Sequence, residues 1–364
     1  MDITIIAGAR PNFIKIAPLV SALNSWNKQN TTKINYRLVH TGQHFDEKMS
    51  QSFFDDLNIP PPHINLNAGG GSQAEQTATI MIAFEKELED HPAGLVIVVG
   101  DVTSTMACTI VAKKMNIKVA HIEGGIRSFD MSMPEEINRM VTDSISDYFF
   151  TTSKTANQNL SNLGIPKERI YFVGNIMIDT LLGNIDRFKK PLFFDRLGLP
   201  ETSYFVLTMH RPANVDQTNI LIEFLDTISA HVHNLPVIFP VHPRTAKTLE
   251  KLDFYRSNIY FVEPLSYLEF NYLVKNAKGV ITDSGGITEE TTVFGVPCMT
   301  LRDNTERPET IQLGTNVLVG TNPKHLIPYM KKLFSNDWKT SEIPELWDGN
   351  TAERIVAILS KLES

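Results

Sequence analysis

Residues 99–139 read VGDVTSTMACTIVAKKMNIKVAHIEGGIRSFDMSMPEEINR, and this stretch decides the fold. An apolar run of strand type, 95–99, ends just before Asp101, and the threonines and serine that follow are typical helix starters. A second apolar run, 117–122, ends in the same way at Glu123. Two successive strands that each end in an acid predict a parallel α/β sheet whose carboxyl edge carries both side chains.

More charged residues crowd the end of this stretch. Glu135 and Glu136 follow Pro134, which suits the first turn of a helix because its missing N–H is not needed there. Acids are also ordinary at helix N-termini, since they complement the helix dipole, so a purely structural role stays open for either glutamate. With Arg127 and Arg139 nearby, the pattern favours a site in which neighbouring carboxylates acquire different pKa values and serve as proton donor and acceptor.

Strands and helices alternate along the whole chain, and its 364 residues suit two domains. The polar, proline-containing segment from Gly174 to about Thr202 is typical of a domain junction, after which the alternation restarts. We therefore predict an α/β protein of two doubly wound Rossmann-like domains facing a cleft. The predicted first domain is 1–173 and the second is 174–349.

Composition narrows the possible partners. The formal net charge of -7 shows no basic excess, so neither nucleic acid nor an anionic membrane surface is an expected partner. The first residues read as a strand and not as a signal peptide, and no apolar run is long enough to span a membrane, so we expect a cytoplasmic protein. Cys108 and Cys298 are expected to be buried free thiols.

Residues 283–290, DSGGITEE, follow a predicted strand at 279–282 and open a helix. Glycines at such a turn expose backbone N–H groups and the serine adds a hydroxyl, which together favour a phosphate cradle. The sequence contains neither the dinucleotide-binding nor the P-loop glycine motif. Glu290, one turn into the helix, has two acceptor oxygens for a ribose, and a structural helix acid is the alternative interpretation.

Several cations and histidines also lie at predicted strand ends. Arg10 and Lys15 lie near the start of the first helix, where a cation opposes the helix dipole. An anion such as a phosphate or a carboxylate explains them, and solvated side chains are the alternative. His210 and His242 each follow a strand of the second half, a position where structural histidines are also common.

A set of ordered motifs gives a family resemblance that covers nearly the whole chain. The chain resembles the non-hydrolysing UDP-N-acetylglucosamine 2-epimerase family in nine segments, which follow in this order: GARPNFIK, TGQHFD, GDVTST, HIEGGIRS, MPEEINR, HRPANVD, HPRT, TDSGGITEE and RDNTERPE. The resemblance implies the glycosyltransferase-B architecture, with UDP held mainly by the second domain. It also implies a C-terminal helix within 350–364 that packs back on the first domain.

The same resemblance implies a reaction. The family interconverts UDP-GlcNAc and UDP-ManNAc: the C2 proton is removed while UDP leaves C1, a 2-acetamidoglucal forms, and UDP adds again after protonation of the opposite face. No cofactor and no metal are expected, since arginine, histidine and backbone N–H groups can stabilise the diphosphate. A UDP-sugar is the expected partner, together with a second copy of the chain in a homodimer. Surface polysaccharide precursor synthesis is the expected context.

The resemblance also implies roles for the residues of this chain that match the family's motifs. Asp101, Glu123 and Glu135 correspond to acid/base carboxylates, and His210 to the partner of the departing UDP oxygen. The remaining candidates are substrate-binding residues: Arg10, Lys15, Arg127, Arg139, Arg211, His242, Ser284, Gly285, Gly286, Glu290, Arg307 and Glu309.

The chain also departs from the family pattern. Asn12 stands where many bacterial members have a glutamate, and Pro212 follows the HR of the histidine motif where they carry charged residues. Relatives with GARP and MPEEINR segments include epimerases of UDP-2,3-diacetamido sugar acids, so another UDP-amino sugar is an alternative substrate. A UDP-sugar glycosyltransferase of the same architecture is a more remote alternative.

Overall fold

The computed structural model describes residues 1–42, 56–57, 59–199, 202–215, 218–241, 249 and 254–362. The chain divides into two compact units, the first formed by Met1–Gly183 with Glu345–Ser364 and the second by Asn184–Pro344. In the described part of the chain, no helix combines the length and the apolar character needed to cross a membrane.

The first unit is built on a parallel sheet of seven strands in the order β3-β2-β1-β4-β5-β6-β7. The strands are β1 Asp2–Ala7, β2 Asn35–His40, β3 Ile64–Asn65, β4 Leu95–Val99, β5 Lys118–Ile122, β6 Tyr148–Thr151 and β7 Ile170–Phe172. The helices are α1 Arg10–Gln29, α2 Gln73–Asp90, α3 Thr103–Lys114, α4 Pro134–Ile145, α5 Lys154–Asn162 and α6 Ile176–Gly183, with a 3-10 turn at Lys167–Arg169.

Local sequence explains these elements. All five residues of β4 are buried, as their unbroken apolar run predicts for a strand covered on both faces. Helix α2 begins after Ser72, whose hydroxyl accepts from the Glu75 N–H while the Glu75 side chain accepts from the Ser72 N–H. Reciprocal hydrogen bonds of this kind, from the pattern Ser-x-x-Glu, stabilise the start of a helix.

The end of the chain belongs to the first unit. Helix α14, Thr351–Leu359, packs on α1 and α6, and its first N–H groups at Thr351 and Ala352 donate to the Asp179 carboxylate. Trp347 is buried and donates to the Thr152 carbonyl. Because α6 and 345–349 pack here, the first unit continues to Gly183 and takes in Glu345 onwards, where the sequence had suggested boundaries at 173 and 349.

The second unit contains a parallel sheet of six strands in the order β10-β9-β8-β11-β12-β13. The strands are β8 Phe205–Thr208, β9 Val237–Pro240, β10 Ile259–Val262, β11 Gly279–Thr282, β12 Cys298–Thr300 and β13 Asn316–Leu318. The helices are α7 Leu192–Arg196, α8 Pro212–Val215, α9 Thr218–His231, α10 Tyr267–Lys275, α11 Gly285–Phe294, α12 Pro308–Gln312 and α13 Leu326–Phe334, with 3-10 turns at Ile185–Arg187 and Pro323–His325.

Each sheet has the strand order of a doubly wound fold, as the sequence predicts. Chain progression reverses between β1 and β4 in the first sheet and between β8 and β11 in the second. Ligands of such sheets bind outside the carboxyl ends of the strands at this reversal. The loops that follow these four strands are therefore where a functional site is expected. Both cysteines are buried and free, as predicted.

Candidate active site

In the first unit, Gly100 lies at the centre of a group of charged side chains. It has φ of +69°, and a Cβ atom built on it would lie 3.1 Å from Lys15 Nζ and 3.9 Å from Glu123 Oε2. Asn12 Nδ2 donates to the adjacent Val99 carbonyl at 2.8 Å, while Asn12 Oδ1 accepts from the N–H groups of the loop after β1. Glycine is required here because the backbone is left-handed and the space above it is filled.

The anion that the sequence predicts beside Lys15 is the Glu123 carboxylate. Lys15 Nζ lies 2.7 Å from Glu123 Oε2, and both side chains are buried. Glu123 itself has φ of +70°, an uncommon conformation for a residue other than glycine. The turn after β5 is thus held in a strained conformation that brings its carboxylate onto α1, and the alternative of a solvated Lys15 is excluded.

Asp101 and Arg139 form the second ion pair at this edge. Arg139 Nε and Nη2 lie 3.0 and 2.5 Å from Asp101 Oδ2, and Asn138 Nδ2 donates to the Asp101 carbonyl at 2.8 Å. The Asp101 side chain remains 31% exposed, whereas Arg139 is buried. A carboxylate with this exposure and a fixed guanidinium on one oxygen is accessible to a bound molecule.

Adjacent glutamates at the start of α4 have different surroundings. Glu136 is buried and accepts from the Ser128 N–H and hydroxyl, the Phe129 N–H and Arg139 Nη1. Burial alone would raise the pKa of Glu136, but these hydrogen bonds and the Arg139 charge outweigh it and hold the pKa below its ordinary value. Glu135 is half-buried and takes part in none of these contacts. The structural role that the sequence left open for either residue belongs to Glu136.

Arg127 is held by Asp143, a residue of α4 that is not among the predicted site residues. Arg127 Nη1 lies 2.6 Å from Asp143 Oδ2, which also accepts from the Gly125 N–H at 3.0 Å. Burial alone would raise the pKa of Asp143, but the charges and hydrogen bonds of His121 and Arg127 hold the pKa below its ordinary value. No local pattern marks Asp143, because its partners come from β5 and the loop after it.

In the second unit, Asp283 organises the loop after β8. Its buried carboxylate accepts from the His210 and Arg211 N–H groups and from Asn214 Nδ2. His210 Nδ1 lies 2.7 Å from Asp283 Oδ1, and 64% of the His210 side chain is exposed. Burial would raise the pKa of Asp283, yet the His210 hydrogen bond and charge hold it below its ordinary value.

This pairing fixes the orientation of a histidine. With Nδ1 bound to Asp283, Nε2 is the remaining hydrogen-bonding atom of the His210 ring. Arg211 is held by the same turn, since its Nε donates to the Asp283 carbonyl at 3.1 Å. Asp283 stands in the quoted DSGG segment, but its role does not follow from the sequence because only the fold brings β8 and β11 side by side.

The N-terminus of α11 carries the predicted phosphate cradle. Ser284 is the N-cap residue and its side chain makes no capping hydrogen bond, while Gly285 and Gly286 are half-buried. A Cβ on Gly285 would lie 2.3 Å from Glu306 Oε1, so the glycine also makes room for a carboxylate. Arg302 is buried beside it, and its Nε and Nη1 have no hydrogen-bond partner among the residues described.

Glu290 lies on the buried face of α11. Asn271 Nδ2 approaches Glu290 Oε1 at 3.4 Å, and Tyr267 and Glu289 are further polar neighbours. Burial raises the pKa of Glu290 to about 8, so the ligand-free carboxyl is mostly protonated at neutral pH. A protonated carboxyl donates as well as accepts, which suits contact with hydroxyl groups.

The other candidates are distributed around these groups. Arg307 pairs with Glu289 at 2.5 Å, and both are buried. Burial also raises the pKa of Glu309 to about 7. Arg10 is the first residue of α1, and its side chain lies outside what the structure describes, as does the whole of His242.

Two doubly wound α/β domains in one chain are typical of the glycosyltransferase-B class of fold. In this chain each domain also carries ionisable groups where its strand order reverses. Among solved structures, Methanocaldococcus jannaschii UDP-GlcNAc 2-epimerase in complex with UDP-GlcNAc and UDP superposes with a TM-score of 0.87 at 40% identity, covering 99% of each chain. The chain is also 41% identical to the UDP-N-acetylglucosamine 2-epimerase of that organism over 99% of both sequences.

Another curated relative acts on a different sugar. The UDP-2,3-diacetamido-2,3-dideoxy-D-glucuronate 2-epimerase of Pseudomonas aeruginosa is 39% identical over 88% of each sequence. The family model for UDP-N-acetylglucosamine 2-epimerase matches residues 27–360. The chain belongs to this family, and it is an epimerase, a member of the isomerase class of enzymes.

Proposed function

We propose that this protein interconverts UDP-GlcNAc and UDP-ManNAc by epimerisation at C2. The observation that carries the proposal is the pair of acids at the ends of β4 and β5: Asp101 and Glu123 are each ion-paired to a buried cation around Gly100. Family membership supplies the substrate class, since UDP-GlcNAc 2-epimerase is the activity named for the relatives at 40–41% identity.

In the proposed reaction, the C2–H bond breaks while UDP leaves C1 with the electron pair of the C1–O bond. The product is a 2-acetamidoglucal, with a C1–C2 double bond, beside UDP. Protonation of C2 on the opposite face and return of UDP to C1 give the epimer. The C2 proton has no adjacent carbonyl to acidify it, so its removal requires a positioned base and a stabilised leaving group.

The first domain supplies the acid/base groups in this proposal. Asp101, Glu123 and Glu135 take and return the C2 proton, and Arg139 orients the Asp101 carboxylate. The partial exposure of Asp101 and Glu135 supports direct roles for these two residues. The ion pair between Glu123 and Lys15 supports a role in which Lys15 orients the Glu123 carboxylate.

The second domain holds UDP in this proposal. Ser284, Gly285 and Gly286 offer a hydroxyl and backbone N–H groups to the diphosphate. Arg302 lies beside them, ion-paired with Glu306 through Nη2 at 2.6 Å, and its Nε and Nη1 have no hydrogen-bond partner among the residues described. His210 Nε2 interacts with the departing UDP oxygen, supported by its Nδ1 bond to Asp283.

Other groups complete the proposed substrate contacts. Glu290 binds the ribose hydroxyls, and the remaining predicted residues surround the nucleotide and sugar: Arg10, Lys15, Arg127, Arg211, His242, Arg307 and Glu309. We also propose that the enzyme is a cytoplasmic homodimer that supplies precursors for surface polysaccharide.

A second candidate substrate is a UDP-2,3-diacetamido-uronic acid. The Pseudomonas aeruginosa relative favours it, because its identity of 39% is close to that of the UDP-GlcNAc epimerases. The same acids and the same UDP contacts would serve this substrate, which differs at C3 and C6 of the sugar.

The test is incubation with each UDP-sugar in deuterated water, followed by NMR at C2. Deuterium entering C2 as UDP-ManNAc appears supports the proposal, whereas turnover only of the diacetamido uronate favours the alternative. Release of free sugar and UDP would instead indicate a hydrolysing epimerase. No exchange with either sugar would contradict both candidates.

A further inference from the structure

A buried histidine contacts the turn that carries Asp101. His121 is on β5, two residues before Glu123, and it is 0% exposed. Its Nδ1 lies 2.7 Å from Asp143 Oδ1, and its Nε2 lies 2.8 Å from the Gly100 carbonyl oxygen. Its side chain therefore joins helix α4 to the turn that presents Asp101.

Both of these neighbours are acceptors. A neutral imidazole has one N–H donor and one acceptor nitrogen, so it can satisfy only one of the two contacts. The Gly100 carbonyl has no proton to donate. Asp143 Oδ2 lies 2.6 Å from Arg127 Nη1 and accepts from the Gly125 N–H at 3.0 Å. A guanidinium at this distance favours the ionised carboxylate, which has no proton to donate either.

We propose that His121 is protonated on both nitrogens and acts as a positioning residue, fixing the Gly100–Asp101 turn with respect to Glu123. The charged groups facing it are Asp143 from α4 and, beyond that carboxylate, Arg127 from the loop after β5. The functional part of this inference rests on the proposed acid/base roles of Asp101 and Glu123.

The arrangement links both acid-bearing turns to one buried carboxylate. Asp143 Oδ1 binds His121, whose other nitrogen holds the Gly100 carbonyl, while Asp143 Oδ2 binds the Gly125 N–H and Arg127. Hydrogen bonds from a charged donor are stronger than those from a neutral one. A protonated His121 therefore holds a left-handed glycine turn more firmly than a neutral ring would.

The protonation state is measurable directly. In the full-length protein labelled with ¹⁵N-histidine, at about pH 7, the His121 signals identified with His121→Asn should show a proton on each nitrogen and imidazolium shifts. In Asp143→Asn the side-chain amide can donate to Nδ1, so a neutral ring is expected there. A neutral His121 in the wild-type protein would overturn the proposal, even if the Asp143 variant does not fold.

The positioning role is tested by hydrogen–deuterium exchange and kinetics. His121→Asn and the longer His121→Gln should each speed amide exchange in residues 99–103 and lower kcat about 100-fold with little change in KM. His231→Asn is the matched control, because His231 binds a helix carbonyl in the second unit. Unchanged exchange and kcat in both His121 variants would overturn the positioning role.

The experiments distinguish failure of the proposed activity from failure of the proposal about His121. A wild-type protein that turns over neither UDP-sugar refutes the proposed activity. The imidazolium signals and the exchange rates at residues 99–103 would still decide whether a charged His121 holds the turn.

Discussion

At the scale of single residues, Asp101 is distinguished by an ion pair that leaves it accessible. Asparagine at this position keeps an oxygen for Arg139 but cannot accept the C2 proton. We expect Asp101→Asn to lower C2 deuterium exchange about 10²–10⁴-fold while UDP affinity, measured by calorimetry, stays close to that of the wild type.

The control for this variant is Asp226→Asn. This change also removes a carboxylate that pairs with an arginine, Arg256, but this ion pair is partly exposed and lies in the second unit. It should leave exchange unchanged. Equal losses of exchange and of UDP binding in Asp101→Asn would count against an acid/base role.

Glu290 makes stability depend on pH. Burial raises its pKa from 4.5 to about 8, so the folded protein retains a proton that the unfolded chain releases between these values. The stabilisation is therefore complete below about pH 4.5 and is lost as the pH rises towards about 8. We expect Glu290→Gln, which resembles the protonated acid, to unfold at a higher temperature than wild type at about pH 8 and at a similar temperature at about pH 5.

Thermal unfolding followed by circular dichroism at both pH values measures this difference. Glu223→Gln, an exposed change on α9, is the control and should show the same small effect at each pH. The expected result is that the thermal unfolding midpoint of the wild-type protein falls, relative to that of Glu290→Gln, from the lower pH to the higher one. An unchanged difference between the two midpoints would contradict the raised pKa of Glu290.

At the scale of elements, the first turn of α4 contains a natural matched pair. Glu136 accepts four hydrogen bonds from the preceding loop and Arg139, whereas Glu135 makes none of these contacts. We expect Glu136→Gln to destabilise the protein by about 3–5 kcal/mol, the cost of breaking a buried ion pair. Glu135→Gln should change stability by less than about 0.5 kcal/mol and should abolish C2 exchange.

Urea unfolding and the deuterium assay on both variants separate the two roles. The neighbouring positions share one helix turn, so each variant controls for the other. The structural role of Glu136 would be contradicted if Glu135→Gln unfolds at a lower urea concentration than Glu136→Gln. The acid/base role of Glu135 would be contradicted if Glu135→Gln retains C2 exchange.

At the scale of the whole molecule, the last helix completes the first unit. Trp347, just before this helix, and Ile355, Val356 and Leu359 within it are buried, and burying each large apolar side chain contributes about 1.5–3 kcal/mol. Their sum is comparable with the about 5–15 kcal/mol by which a domain is stable. We expect a chain that ends at Pro344 to lose the structure of residues 1–183.

Hydrogen–deuterium exchange by mass spectrometry tests this expectation. Peptides from the first unit should lose protection, while peptides from residues 184–344 serve as the internal control and should keep it. Retained protection across β1, β4 and β5 would show that α14 is dispensable for the first unit.

Much of the architecture was predictable because it depends on local patterns. The unbroken apolar run of β4, the cap at Ser72 and the glycine turns after the strands each indicate their element without reference to distant residues. The alternation of such elements then limits the fold to parallel sheets, since each crossover must be right-handed. The acids at the ends of β4 and β5 follow from the same rule.

The ion-pair and hydrogen-bond partners of the site residues were harder to predict than the positions of these residues at the strand ends. Lys15 and Glu123 are 108 residues apart in sequence, and no local pattern says that the anion beside Lys15 is this carboxylate. The same is true of Asp283, whose hydrogen bonds to the His210 loop exist only because β8 and β11 are neighbours. Gly285 was predicted to expose N–H groups, and only the fold shows that it also accommodates Glu306.

The sequence by itself determined the two doubly wound domains, the family and the strand ends that carry the ionisable residues, because hydrophobic periodicity and turn chemistry are local. Only the tertiary structure decided which of two adjacent glutamates is buried, which cation each acid meets and why His121 faces two acceptors. Those outcomes depend on contacts between residues distant in the chain, where burial and charge set the protonation and orientation of each group.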